Sequence, residues 1–240
     1  MTRLVVATHN GHKLREIRAI LGERLQYLAL NDFPDAPKTI EDTDTFAGNA
    51  TKKAVELARW LASRPTLDLR SSALLVLADD SGLEVDALKG APGVYSARFA
   101  TRGEGAGGRP ASLAANSADA DNNAKLLGLL KEVPWEKRTA RFRCVLALTP
   151  VPTTAQTVSS PVCFAEEHEL RTELFEGVCE GRIGYAPRGR GGFGYDPLFV
   201  PEGHEQSFAE LGGDAKNKIS HRARALARLR ERLLTEQSAG

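Results

Sequence analysis

The sequence predicts an α/β fold, and three observations carry that expectation. Leu4-Val5-Val6-Ala7 is a β-rich run, and Leu14, Ile17, Ile20 and Leu21 then fall on one helical face, so a strand leads through a turn into a helix. Leu74-Leu75-Val76-Leu77-Ala78 is continuously apolar, the mark of a strand covered on both faces. The chain has 240 residues, enough to bury a core in one large domain or in two lobes sharing a sheet.

Composition removes several function classes. Lys plus Arg is 32 against 31 Asp plus Glu, a net charge of +1, so no overall field attracts nucleic acid or an acidic membrane. Any anion site must be local. The cysteines Cys144, Cys163 and Cys179 are odd in number and form no Cys-x-x-Cys, which argues against a disulfide framework or structural zinc and fits a reducing cytosol. Five scattered histidines give no zinc-ligand spacing. No apolar h-region opens the chain and no run of about 18 apolar residues occurs, so neither export nor membrane insertion is expected.

The central apolar run ends on Asp79-Asp80-Ser81-Gly82, read as a strand leaving its sheet into a turn. Ligands of open α/β sheets bind at that carboxyl-end rim, and clustered carboxylates there repel unless a cation such as Mg²⁺ joins them. A solvated Asp-Ser-Gly turn is the other reading, and the commoner fate of such residues.

Along the chain, further polar residues gather at helix starts. The turn Thr8-His9-Asn10-Gly11-His12-Lys13 places hydroxyl, amide, glycine and lysine where free N–H groups point outward, an anion cradle; plain capping by Asn10 with a solvated Lys13 is the alternative. A first-turn lysine opposes the helix dipole unless an anion is present. A second helix, with Ala50, Ala54, Leu57, Ala58 and Leu61 inward and Thr45 or Asp44 as cap, puts Asn49 and Lys53 on one face; Glu41 just before it either caps, coordinates or faces solvent. After the carboxylates, Leu83 to Leu88 alternates like a strand, and a glycine-punctuated segment leads to Arg98, a cation for phosphate or an ion pair. Residues 101–120 lack periodicity and read as a mobile insertion; a helix through Asn123, Leu126, Leu127 and Leu130 and a strand over Arg141–Leu148 follow.

Gly189-Arg190-Gly191-Gly192-Phe193-Gly194 matches Gly-x-Gly-x-x-Gly only by letter, since a proline precedes it and Tyr195-Asp196-Pro197 follows where a helix should start. It reads instead as a flexible arm whose Phe193 and Tyr195 stack on a base beside the acceptor Asp196, or as a turn whose aromatics fill the core. Last comes an amphipathic helix with Ala223, Leu226, Leu229 and Leu233 on one face and Arg222, Arg224, Arg228, Arg230 and Arg232 on the other, capped by Ser220 after Lys216-Asn217-Lys218.

Taken in order, six stretches of this sequence resemble the non-canonical purine nucleoside triphosphate pyrophosphatases, the inosine triphosphatase-like family. They are Thr8–Lys13, Asn49–Ala54, Ala78–Leu83, Gly90–Arg98, Phe193–Phe199 and Lys216–Arg222, and they span nearly the whole chain as a single domain, 1–240. The resemblance implies an elongated, two-lobed α/β fold around a long mixed sheet with flanking helices, the substrate in a cleft between the lobes, and a cytoplasmic homodimer. It implies that water attacks the triphosphate of ITP, dITP or XTP and splits the α–β bond, releasing pyrophosphate. Asp80 would be the general base and would hold Mg²⁺ together with Glu41, with Asp79 in support. Thr8, His9, Asn10, Gly11, His12, Lys13, Lys53 and Ser81 would hold the triphosphate. Phe193, Gly194, Tyr195, Asp196, Lys216, His221 and Arg222 would select the base. Gly48 stands where that family commonly has glutamate, which removes a capping box with Thr45 and is expected to weaken the helix start by ~1 kcal/mol. The stretches 62–73, 101–120 and 149–161 read as insertions outside every motif.

Overall fold

The computed structural model describes residues 2–64, 73–101, 116–152 and 171–238. Most of the three expected insertions, and Cys163, lie outside the described residues. Among those described, no helix is long and apolar enough to cross a membrane.

One six-stranded mixed sheet organises the chain, in the order β2-β1-β3-β4-β5-β6. β1 (Arg3–Val6) lies parallel to β2 (Gln26–Ala29) and to β3 (Leu74–Val85). β4 (Thr139–Pro150), β5 (Glu173–Ile183) and β6 (Phe199–Pro201) continue from β3 in antiparallel pairing. α1 (Gly11–Leu21) follows β1, and α2 (Phe46–Ala62) crosses between β2 and β3. α3 (Asp119–Leu129) precedes β4, while α4 (Phe208–Ile219) and α5 (His221–Ser238) close the chain.

The core lies on both faces of this sheet. On one, Val5, Val76, Ala78, Val145 and Ala147 pack beneath Ala50, Ala54 and Leu57 of α2. On the other, Leu4, Val6, Leu77 and Leu146 pack beneath Ile17 of α1 and Leu226 of α5. A third cluster gathers Leu83, Phe142, Tyr195, Phe199 and Phe208 at the far end. The continuous apolar run of β3 is thus explained by helices on both sides.

β3 corrects one expectation. It does not stop at Asp79-Asp80 and turn, but runs on through Ser81 and Gly82 to Val85, paired with β4 from Leu75↔Pro150 to Val85↔Ala140. What ends is its parallel neighbour: β1 finishes at Val6, and Ala7 N–H donates to the Leu77 carbonyl at 2.8 Å. The carboxylates therefore sit in mid-strand where one edge of β3 has lost its partner. Gly82 makes the continuation possible, because a Cβ there would lie 2.5 Å from the Gly93 carbonyl oxygen. Only the bare backbone lets the 93–98 segment pack against the strand.

The arginine-rich face of α5 is also more than a solvated surface. Arg224 and Arg228 donate to the carbonyls of Val178 and Glu176, each at 2.7 Å, and Arg232 pairs with Glu173 at 2.6 Å. These side chains cover the edge of β5 beyond its short pairing with β6, an edge otherwise free to pair with another strand. Gly177 allows the approach, since a Cβ there would lie 2.1 Å from the His221 carbonyl oxygen. At Gly48, Thr43 fills the place of the missing side chain: a Cβ would meet its Oγ1 at 2.6 Å, while Thr45 Oγ1 still caps through Gly48 N–H at 3.0 Å.

Candidate active site

Strand alternation divides the two adjacent carboxylates. Successive side chains of β3 point to opposite faces, so Asp80 shares the α2 face with Ala78, whereas Asp79 and Ser81 share the α1/α5 face with Leu77. The pair is therefore not one repelling cluster awaiting a single cation. Each carboxylate has its own cations.

On the α2 side, Lys53 Nζ is the hub. It donates to Glu41 Oε1 at 2.9 Å, to Asp80 Oδ1 at 3.1 Å and to the main-chain carbonyl of Asp79 at 2.8 Å. That carbonyl is free for it where β1 has ended. Arg98 holds the far side of Glu41, with NH1 to Oε2 and NH2 to the main-chain oxygen, each at 3.1 Å. Asp80 Oδ2 is buried with no hydrogen-bond partner. Burial raises the Asp80 carboxyl above the usual carboxylate range; Lys53 opposes the rise and the charge of Glu41 adds to it. Burial also works to raise Glu41, but Lys53, helped by Arg98 and Lys13, outweighs it and brings that carboxyl down to about 2.

On the α1/α5 side, Asp79 accepts from Lys13 Nζ, from Arg222 Nε at 2.8 Å, from Ser81 Oγ at 2.9 Å and from Cys144 Sγ at 3.3 Å. Burial would raise this carboxyl, but Arg222 and Lys13 hold it well below its ordinary value. Arg222 is itself fully buried, donating also to Ser81 Oγ at 2.9 Å and pairing with Glu16. The ion pairs continue outward: Glu16 Oε1 lies 3.1 Å from Lys216 Nζ, which lies 2.6 Å from Asp196 Oδ2.

The Lys216 ammonium sits 4.3 Å above the Phe193 ring, and His12 stands 5.4 Å from that ring. Asp196 Oδ2 also accepts Phe193 N–H at 2.9 Å, so its carboxylate is committed to its own turn and to Lys216. Tyr195 is buried with its hydroxyl donating to the Ser96 carbonyl at 2.9 Å, placing its ring in the core. The arm expected to be flexible is pinned, with Gly191 N–H on the Ala209 carbonyl at 3.2 Å. His221 is buried, stacked on Phe142 at 4.7 Å, with Nδ1 unpartnered; burial and then Arg222 and Lys216 push its pKa well down, so the imidazole is neutral.

The Thr8–Lys13 turn combines both expected readings. Asn10 caps α1, accepting from His12 N–H at 2.9 Å and Lys13 N–H at 3.3 Å, and Thr8 Oγ1 accepts Asn10 N–H at 3.0 Å. Lys13 is not solvated: the anion it meets is Asp79. His9 and Gly11 are exposed. Glu16 and Cys144 were not expected at the site. Glu16 left a signal, an acid beside Ile17 on the inward face of α1; Cys144 left none. Two surface grooves, of about 510 and 610 Å³, contain neither Asp80 nor Lys53.

A mixed sheet that sets two adjacent buried carboxylates on opposite faces, Asp79 against Lys13 of the first turn of α1 and Asp80 against Lys53 of α2, defines an α/β protein equipped for phosphate chemistry. The chain belongs to the Ham1 family, whose profile matches residues 4–232. It is 47 % identical over 234 residues to a dITP/XTP pyrophosphatase of Geobacter sulfurreducens, covering 97 % of each chain, and 44 % identical over 231 residues to one of Shouchella clausii, covering 96 % of each. Among solved structures it resembles a HAM1 protein from Coxiella burnetii, with TM-score 0.73 and 33 % identity over 98 % of this chain and 100 % of that one. The Staphylococcus aureus Ham1 protein gives TM-score 0.71 and 28 % identity over 98 % and 99 %.

Proposed function

We propose that this chain is a nucleoside triphosphate pyrophosphohydrolase that uses water to split the α–β bond of dITP, ITP and XTP, yielding monophosphate and pyrophosphate. Family membership and the names of its relatives support the reaction class. The observation that carries the catalytic reading is Asp80: a buried carboxylate of raised pKa, tethered through Oδ1 to Lys53, with Oδ2 unpartnered.

In this reading Asp80 Oδ1, released as Lys53 turns to phosphate, takes the proton of the attacking water as general base, while Oδ2 is left for a cation. Lys13 and Lys53 exchange their carboxylate partners for phosphate oxygens, with Ser81 and the Thr8–Lys13 turn beside them. Glu41 and Asp80 are the carboxylates suited to a hard divalent cation. The unpartnered Oδ2 fits that role, and since no group of three or more His, Cys, Asp or Glu is placed to hold a metal ion among the described residues, water and substrate oxygens would complete the shell. Bound there, Mg²⁺ would neutralise charge on the transferring phosphoryl group.

Base choice is assigned to Phe193, Gly194, Lys216, His221 and Arg222, with Tyr195 and Asp196 holding the turn. Donors suit the 6-keto oxygen of hypoxanthine and xanthine, whereas the amino group of adenine would leave them unpaired at roughly 1–3 kcal/mol each. The same reading includes a cytoplasmic homodimer. Free buried thiols at Cys144 and Cys179 are compatible with that compartment, and exposed Leu174 offers apolar surface to a second copy.

The test is product release from dITP, ITP, XTP, GTP and ATP with and without Mg²⁺, assaying pyrophosphate and orthophosphate separately. Pyrophosphate released preferentially from the first three, and lost in Asp80→Asn, is the expected result. Orthophosphate as product, or full turnover by Asp80→Asn, would refute it.

A further inference from the structure

The turn that carries Phe193 is held by α3, an element outside every motif read in the sequence. Gly194 sits in the left-handed region, with φ of 63°, and both of its backbone polar groups are taken by that helix. Its N–H donates to Asp119 Oδ2 at 2.6 Å, and its carbonyl accepts Asn123 Nδ2 at 3.0 Å. Asp119 and Asn123 are four apart and so share one face of α3. Asn122, between them, bonds the other side: Ala100 N–H donates to its Oδ1 at 2.7 Å, and its Nδ2 donates to the Ala97 carbonyl at 3.4 Å. Its partners flank Arg98, which grips Glu41.

These bonds hold the Phe193 turn by its main chain. One residue before Gly194, Phe193 faces Lys216; one residue after, Tyr195 is anchored on Ser96; two after, Asp196 pairs with Lys216. With both Gly194 groups engaged, the peptide planes on either side of it are fixed, and with them the Phe193 ring. Asn123 is buried and its Oδ1 has no partner, so the amide is committed to Gly194 through Nδ2 alone.

We infer that Asp119 and Asn123 are positioning residues for base recognition, acting through Gly194 to set the Phe193 turn. The inference rests on the base-site reading above. Its test separates base from phosphate by measuring binding of inosine monophosphate and of pyrophosphate to the full chain by calorimetry, for wild type, Asn123→Ala, Asp119→Ala and Asp119→Asn. Urea melts verify folding. Each alanine variant is expected to weaken inosine monophosphate by about tenfold, the scale of one lost hydrogen bond, with pyrophosphate within about twofold; Asp119→Asn, which keeps an acceptor, recovers most of the loss. Hydrogen exchange at residues 193–196 should quicken in the alanine variants and supplies a readout independent of any ligand. If wild type binds both ligands and the folded alanine variants bind and exchange as it does, the positioning role is overturned while the function stands. Equal weakening of both ligands also overturns it, leaving a general structural role. If wild type binds neither ligand, the function proposed above fails and takes this assignment with it.

Discussion

Replacing Arg222 by Met should be among the most damaging single changes in the chain. The guanidinium lies 2.8 Å and 3.4 Å from the two Asp79 oxygens and 2.9 Å from Ser81 Oγ, with Glu16 on its remaining side. Both Arg222 and Asp79 side chains are 1 % exposed, so neither charge reaches water when its partner is lost. Breaking such a pair from one side costs roughly 3–5 kcal/mol. Lys13 remains beside Asp79 and Lys216 beside Glu16, which places the expectation at the lower end, about 3 kcal/mol. In a chain of this size that corresponds to a fall in Tm of roughly 6–12 °C. Urea denaturation followed by fluorescence and circular dichroism measures it. The double variant Arg222→Met/Asp79→Leu removes both charges, and should recover about 1–3 kcal/mol relative to the sum of the two single changes. A single variant within about 1 kcal/mol of wild type, or strict additivity in the double, would show that the pair is not the buried, mutually dependent unit described here.

Other perturbations have equally definite outcomes. His221 has a folded pKa well below 6.5, so below that pH the unfolded chain binds a proton that the folded one does not. Stability is full above pH 6.5 and falls with pH by up to about 1.4 kcal/mol per unit; in urea titrations His221→Phe should flatten that slope between pH 6.5 and 5, and an unchanged slope would mean His221 is not the group responsible. Glu41, whose folded pKa is also lowered, has a profile of the same sense in a more acidic window, its contribution being present above about pH 4.5 and lost as pH falls toward 2. Gly177→Ala should destabilise by roughly 1–3 kcal/mol, since its Cβ would meet the backbone of α5; a neutral melt would mean that α5 can shift without loss. Lys13→Ala should raise KM for every triphosphate tested without altering base preference, and a change confined to base preference would reverse the division between phosphate and base residues.

Much of the fold was legible locally. The β1–α1 unit, the Thr45 and Asn10 caps, the buried character of β3 and the inward face of α5 all follow from periodicity and capping chemistry, which act over a few residues. The end of β3 was not legible, because Asp-Ser-Gly is good turn chemistry and only pairing with β4 overrides it. The charge of the α5 face was visible, but its partners, carbonyls of β5 more than forty residues away, were not.

The site divides along the same line. Sequence by itself determined the candidates by type and order: acids on one strand, one lysine in the first turn of α1 and another further along α2, an aromatic turn and a basic helix start, enough to indicate a family. Tertiary structure alone decided who faces whom. The two-residue pleat of β3 sends Asp80 to Lys53 and Asp79 to Arg222, 143 residues further on. It also decided that Tyr195 fills the core, that Glu16 joins Arg222 to Lys216, and that α3 holds Gly194. The physical reason is reach: propensity and capping are set by neighbours in the chain, whereas desolvation and ion pairing depend on what the closed sheet brings within about 3 Å.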